Sequence, residues 1–242
     1  MKIHIISLFP SELRDFFCKG LFLKAIKNKH LSVTFHDLRE QSHLKNKSVD
    51  DYPYGKRRGL ILKADIVSKA IRAIDQYQEY PIIYTCPKAP LFTQRRAESL
   101  SQEKGMIILS GYYEGVDERL FSIFDIQRMS LGDMVLSSGE SPAIIIAEAT
   151  ARLVKGVVGN RDCIVDDSFS SGLLECPHFT APRQVENIDV PPVLLSGHHQ
   201  LIQGWERKEA LRATLYQKPG LLNELKPKVE DKNLLTSLLK ET

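Results

Sequence analysis

Three short segments of the sequence concentrate glycine, hydroxyl, aromatic and carboxylate groups at the ends of apolar runs. The first is Tyr84-Thr85-Cys86-Pro87. The second is Ser110-Gly111-Tyr112-Tyr113-Glu114-Gly115, with Asp117, Glu118 and Arg119 just beyond. The third is Leu131-Gly132-Asp133-Met134-Val135-Leu136-Ser137-Ser138-Gly139-Glu140, with Pro142 in the first turn of the helix that follows. Each alone reads as an ordinary tight turn. Together they describe a pocket, because ligands of open α/β sheets bind at the carboxyl ends of the strands, and glycine lets backbone N–H and C=O groups approach a ligand closely. Other chemistries are absent. The chain has no G-x-G-x-x-G and no G-x-x-x-x-G-K-[ST], and so neither a dinucleotide fingerprint nor a P-loop. It has no G-x-S-x-G and no H-E-x-x-H. His198 and His199 are adjacent and would point in different directions on a helix, so they read as a solvated pair.

The elements that must position these loops follow from apolar spacing. Residues 3–8, 31–38, 81–86, 106–110 and, weakly, 124–129 read as strands. Helical spacing runs over 13–26 with Ser11 as a cap and Gly20 as an interruption. Further helices are expected over 66–77 behind Asp65, 93–104 behind Thr93, 116–122 and 141–154. Residues 39–62 are polar and read as a long loop, a kind usually given to function. Alternating buried strands and helices imply an α/β fold around a mainly parallel sheet. Near Gly156 the pattern changes to a polar, glycine-bearing connector. Beyond it no strand alternation is visible. Residues 201–217 read as an amphipathic helix with Leu201, Trp205, Ala210, Leu211 and Leu215 inward, and a last helix covers 229–240. Some 70 residues are few for independent stability, so this part is expected to pack on the rest or on a partner chain.

Composition sets the outer bounds. The chain has 242 residues, 43% of them hydrophobic and 26% charged, within the range of globular proteins. The longest purely aliphatic run covers 143–147, far short of the roughly 20 residues that span a bilayer. Pro10 cuts off the short apolar start, and no signal peptide is read there. Four scattered cysteines without a C-x-x-C pair argue for free thiols and a cytoplasmic location. The net charge is only +3, but residues 1–80 carry 15 basic and 9 acidic groups, and residues 81–199 carry 10 and 15. Such asymmetry raises the prior for a polyanionic partner.

Longer blocks carry a family resemblance. The opening I-I-S-L-F-P, V-D-D-x-P-Y-G from Val49, G-x-Y-E-G-V-D-E-R from Gly111 and L-G-D-x-V-L-S-x-G-E from Leu131 lie in one order. D-S-F-x-x-G-L-L-E-C-P-H-F-T from Asp167 and V-P-P-V-L-L-S-G-x-H from Val190 complete them. In these blocks the chain resembles the bacterial tRNA (guanine-N1)-methyltransferases of the trefoil-knotted, SPOUT-type superfamily. The resemblance implies a deep trefoil-knotted, mainly parallel sheet flanked by helices and followed by a small all-helical C-terminal domain. Residues 1–159 would bind S-adenosylmethionine, 160–172 connect, and 173–242 bind tRNA. The implied reaction is methyl transfer to N1 of guanosine 37, in a homodimer, with neither membrane nor DNA as a partner.

The resemblance also implies the site. Carried over by motif, the cofactor contacts fall on Tyr84, Gly111, Tyr113, Glu114, Leu131, Gly132, Leu136, Gly139 and Pro142. Asp167 matches the general base for the N1 proton and Arg152 the guanidinium that stabilises O6, as such chemistry requires. Glu114 and Asp167 match positions linked to Mg²⁺. RNA contacts fall on Lys56, Arg57, Arg58, Ser168 and His198. Read without the resemblance, Asp167 is an N-cap and Arg152 a cation suited to a helix end. The chain departs from the family at several points. Lys56, Arg57 and Arg58 replace small residues, which either adds phosphate contacts or crowds the pocket. Lys88 and Ala89 replace a Gln-Gly, Tyr112 an Arg or His, Ser138 a glycine and Ala181 an arginine. A serine at 138 is expected to cost about 1 kcal/mol if its φ is positive. Three readings compete: an active guanine-N1 methyltransferase, a superfamily enzyme with another RNA target, and a non-catalytic RNA-binding homologue. Retention of Asp167, Arg152 and Glu114 favours the first two.

Overall fold

The computed structural model describes residues 1–55, 58–159, 167–225, 227 and 229–240. Lys56, Arg57 and the 160–166 part of the connector therefore lie outside the described residues. The chain divides into two compact units, Met1–Gly159 and Asn160–Thr242.

The first unit runs β1 (Lys2–Ser7), α1 (Pro10–Phe17), α2 (Gly20–Lys27), β2 (Ser32–Asp37), β3 (Asp50–Asp51), β4 (Ile61–Leu62) and α3 (Ala64–Arg72). It continues with β5 (Ile82–Thr85), α4 (Gln94–Ser101), β6 (Gly105–Leu109), α5 (Leu120–Ile123), β7 (Ile126–Met129) and α6 (Glu140–Ala151). Five strands form one sheet in the order β2-β1-β6-β5-β7, every pairing parallel. The inner strands are apolar on both faces because helices cover both. Ile3, Ile5, Ile83, Met106 and Ile108 face α1, α2, α4 and α6, whereas Ile82, Tyr84, Ile107 and Leu109 face α3 and α5. This alternation is the two-residue period of a strand. All the parallel strands end toward one edge, and the three glycine-bearing loops leave from there.

Some boundaries differ from the sequence reading, each for a local reason. One helix over 13–26 becomes two, because Gly20 takes a left-handed φ of +53°. Ser11 is no cap: Pro10 occupies the first turn of α1, and the Ser7 hydroxyl accepts from the Phe9 N–H (2.8 Å). Asp65 lies inside α3, where its carboxylate complements the helix dipole, whereas Thr93 caps α4 by accepting from the Arg96 N–H. The 39–62 segment is not a plain loop. It contains the β3–β4 hairpin, anchored by the buried Val49 and Leu62.

The second unit contains α7 (His199–Gln217), α8 (Gly220–Glu224) and α9 (Val229–Leu238) around Leu173, Leu211 and Leu238. Ala210 and Leu215 pack there, as their spacing predicts, but Leu201 is exposed. Arg207 grips the buried Asp231 carboxylate through two hydrogen bonds (2.8 and 3.0 Å). A tight hairpin, β8 (Gln184–Val185) with β9 (Ile188–Asp189), adds strand to a unit whose sequence showed none. Its turn residues Glu186 and Asn187 both have positive φ, the geometry of a type I′ turn. Two-residue strands are too short to show alternation. No helix among the described residues is long and apolar enough to cross a membrane.

Candidate active site

The three loops meet at the carboxyl edge of the sheet. Thr85 ends β5, and its hydroxyl accepts from the Gly111 N–H beyond β6 (3.4 Å). The Gly111 carbonyl in turn accepts from the Gly139 N–H, just before α6, at 2.7 Å. The approach is so close that side chains are excluded. A Cβ on Gly139 would lie 2.3 Å from the Gly111 nitrogen and 2.5 Å from Thr85 Oγ1. One on Gly111 would lie 3.1 Å from the Tyr84 ring. Gly139 has an ordinary φ of −88°, so proximity alone demands glycine there. Ser138 is not among the residues with positive φ, and the strain expected of a serine at that position does not arise.

The surrounding residues brace this junction. Burial pushes the Tyr84 phenol up to about 12, so it stays neutral, as a donor, throughout the physiological range. Its hydroxyl lies 3.0 Å from where a Gly115 Cβ would sit. Residues 60–62 run beside 114–117: the Glu114 N–H donates to the Leu60 carbonyl (3.0 Å) and the Leu62 N–H to Gly115 (2.9 Å). A Cβ on Gly59 would fall 2.4 Å from Glu114 Cγ. Arg58, exposed and next to Gly59, therefore stands at the rim beside Glu114. Leu131 and Gly132 are held through Ser130, whose N–H donates to Pro90 (2.9 Å) and whose carbonyl accepts from Phe92 (2.7 Å). Tyr113 is exposed with a φ of +56°, a left-handed conformation that a tyrosine keeps only under constraint. Tyr112, at the family's Arg or His position, packs against Phe9 with ring centroids 5.2 Å apart and the rings tilted at 60°.

One buried link was not read from the sequence. Glu140, only 6% exposed, opens α6, and its Oε1 accepts from the Ser7 hydroxyl at 2.6 Å. This bond ties the end of β1 to the turn that presents Gly139. Glu140 Oε2 is buried without a hydrogen-bond partner among the described residues. Both residues lay in matched blocks, but nothing local paired positions 133 apart.

Tyr84, Gly111, Glu114 and Gly139 thus belong to one junction, with the buried Pro142 in the first turn of α6 just after Gly139, Leu131 and Gly132 anchored beside it and Leu136 exposed nearby in sequence. Arg152 does not belong to it. Gly139 is the N-cap of α6 and Arg152 its C-cap, and twelve helical residues separate them by about 18 Å. Asp167, Ser168 and His198 lie in the second unit. The Asp167 carbonyl accepts from the Ser170 N–H (3.1 Å), so the residue opens a turn rather than capping a regular helix. Ser168 Oγ accepts from the Glu175 N–H (3.1 Å), and His198 is exposed at the start of α7. Among the described residues no group of three or more His, Cys, Asp or Glu side chains is arranged to hold a metal ion.

Comparison with known proteins agrees with this architecture. The family model described as tRNA (Guanine-1)-methyltransferase TrmD matches residues 1–224. A tRNA (guanine-N(1)-)-methyltransferase of Dictyoglomus turgidum is 39% identical over 241 residues, covering 100% of this chain and 98% of the relative. Enzymes of the same name from Pseudoalteromonas atlantica and Geobacillus kaustophilus are each 40% identical, covering 98% and 93% of this chain and 90% and 92% of the relatives. The glycine junction, the parallel sheet that carries it and these full-length matches lead to one conclusion: the chain belongs to the tRNA (guanine-N1)-methyltransferase family.

Proposed function

We propose that this protein methylates N1 of guanosine 37 in tRNA, using S-adenosylmethionine. The observation that carries the reading is the convergence of the Tyr84-Thr85, Gly111 and Gly139 segments, which leaves a cradle of backbone groups that a Cβ would fill. S-adenosylmethionine supplies the electrophilic methyl group when bound. Tyr84, Gly111, Tyr113, Glu114, Leu131, Gly132, Leu136, Gly139 and Pro142 would hold it. Neutral guanine carries a proton on N1, so the nitrogen becomes a useful nucleophile only as that proton leaves. The Asp167 carboxylate accepts it. Negative charge then develops on O6, and the Arg152 guanidinium stabilises it. Glu114 and Asp167 are carboxylates, the ligand type that would suit Mg²⁺.

The length of α6 gives this mechanism a further requirement. Arg152 stands about 18 Å along α6 from the junction of its own chain, which favours supply of the guanidinium by a second copy. A homodimer satisfies this. Met134, Val135, Leu136 and Ile145 are exposed, Val135 at 87%, and offer apolar surface for such a partner. The trefoil knot, the tRNA-binding role of residues 173–242 and a cytoplasmic location belong to the same reading.

Two measurements test it. Calorimetry with S-adenosylmethionine is expected to show saturable binding, and no heat at millimolar concentration would leave only a non-catalytic RNA-binding role. Methylation of tRNA transcripts is then compared with guanosine 37 intact and replaced. Equal incorporation into both would move the target elsewhere in the RNA.

A further inference from the structure

Two acid-free stretches of the sequence meet in space. Between Asp15 and Asp37 the chain carries Lys19, Lys24, Lys27 and Lys29, and between Glu148 and Asp162 it carries Arg152, Lys155 and Arg161. Gly156 brings them together: with φ at +89°, it lies so close that a Cβ would fall 2.5 Å from the His30 ring. Lys155 and Lys29 are the immediate neighbours of these two residues. Lys24 and Lys27 follow one another at helical spacing on α2, opposite the buried Phe22 and Ala25. Lys24, Lys27, Lys29 and Lys155 are all exposed, and none makes an ion pair among the described residues.

Lys29 adds a second, independent observation. It follows the C-cap of α2 with φ at +60°, while the His30 N–H returns to the Ala25 carbonyl (2.9 Å). That helix ending ordinarily takes glycine, since a Cβ is disfavoured there. A charged residue therefore occupies a position where folding alone favours another.

We infer that Lys24, Lys27, Lys29 and Lys155 form a binding surface for the tRNA phosphate backbone. The inference rests on the tRNA reading above. It goes beyond it by giving the first unit an RNA surface of its own, begun three residues after Arg152. The chemistry recognised is a run of phosphates, for which exposed, unpaired ammonium groups are suited.

The test uses the full-length chain and intact tRNA. The variant K24Q/K27Q/K29Q/K155Q should bind tRNA at least about tenfold more weakly near 0.1 M salt. Its log–log salt dependence should be shallower by about three, at roughly 0.7–0.9 per lost phosphate contact. The S-adenosylmethionine affinity should stay unchanged, and the tRNA KM should rise with kcat within about twofold. K29G separates folding from binding: it should melt no lower than the parent yet bind tRNA more weakly. K69Q, an exposed lysine on α3 across the sheet, should leave the slope alone. An unchanged slope in the quadruple variant would overturn the surface, as would an equal loss in K69Q or tighter binding to phosphatidylglycerol vesicles than to tRNA. Because binding is read without methyl transfer, a parent protein that binds tRNA but does not methylate it would refute the catalytic reading and leave this surface judged by the slope.

Discussion

Replacing Gly139 by alanine probes the junction directly. The new Cβ would lie 2.3 Å from the Gly111 nitrogen, 2.5 Å from Thr85 Oγ1 and 2.9 Å from the Gly111 oxygen. Two of these atoms are backbone and cannot swing aside, so the loops must part by about 1 Å to reach ordinary contact. Overpacking of this kind costs about 1–3 kcal/mol. Stretching the Gly139–Gly111 hydrogen bond, now 2.7 Å, adds about 1–3 kcal/mol if the groups stay unsatisfied. A combined loss of about 2–5 kcal/mol follows, and its backbone origin places it at the proposed cofactor cradle. Calorimetry should therefore show S-adenosylmethionine binding at least about thirtyfold weaker, since each 1.4 kcal/mol is tenfold. Gly159→Ala is the control, because no described residue lies within 4 Å of its Cβ position and it stands outside the junction. If Gly139→Ala binds the cofactor like the parent and melts within about a degree of it, the close-approach argument is wrong.

Further outcomes follow from other sites. Asp167→Ala should abolish methyl transfer while leaving S-adenosylmethionine binding intact; full activity would remove this carboxylate from the mechanism. Gly204→Ala, inside α7 with open space around its Cβ position, should raise stability by about 0.5–1 kcal/mol, measured by chemical denaturation. The His4 imidazole is lowered to about 4, first by burial and then by the neighbouring His36 and Lys2. It contacts His36 at 3.1 Å and stacks on Tyr80. A histidine depressed in the folded state contributes stability that is full above its ordinary value of 6.5 and is lost as pH falls toward 4. His4→Gln should flatten that decline, and unfolding curves across this range would reveal an unchanged slope if the assignment is wrong.

The sheet was largely legible because its strands carry β-branched residues on both faces. The glycine loops stood out because glycine, tyrosine and carboxylate cluster at strand ends. Less legible features depend on distant partners. Nothing in Ile6-Ser7-Leu8 announces that the hydroxyl will meet Glu140. The split of the first helix hangs on one residue, Gly20, whose effect periodicity can register only as an interruption. The β3–β4 hairpin was hidden because its strands have two residues each, and one buried side chain, Leu62, between the two strands leaves no pattern. Arg152 was assigned a role by motif, but its distance from the junction required the helix to be placed.

In the proposed dimer, α6 serves two catalytic centres at once. Its first turn shapes the cradle of its own protomer, and its C-cap residue Arg152 would reach into the centre of the partner. Lesions at opposite ends of this helix are therefore complementary. A chain impaired at Gly139 and one impaired at Arg152 are each inactive as homodimers. Mixed, they yield heterodimers in which one centre carries both lesions and the other carries neither.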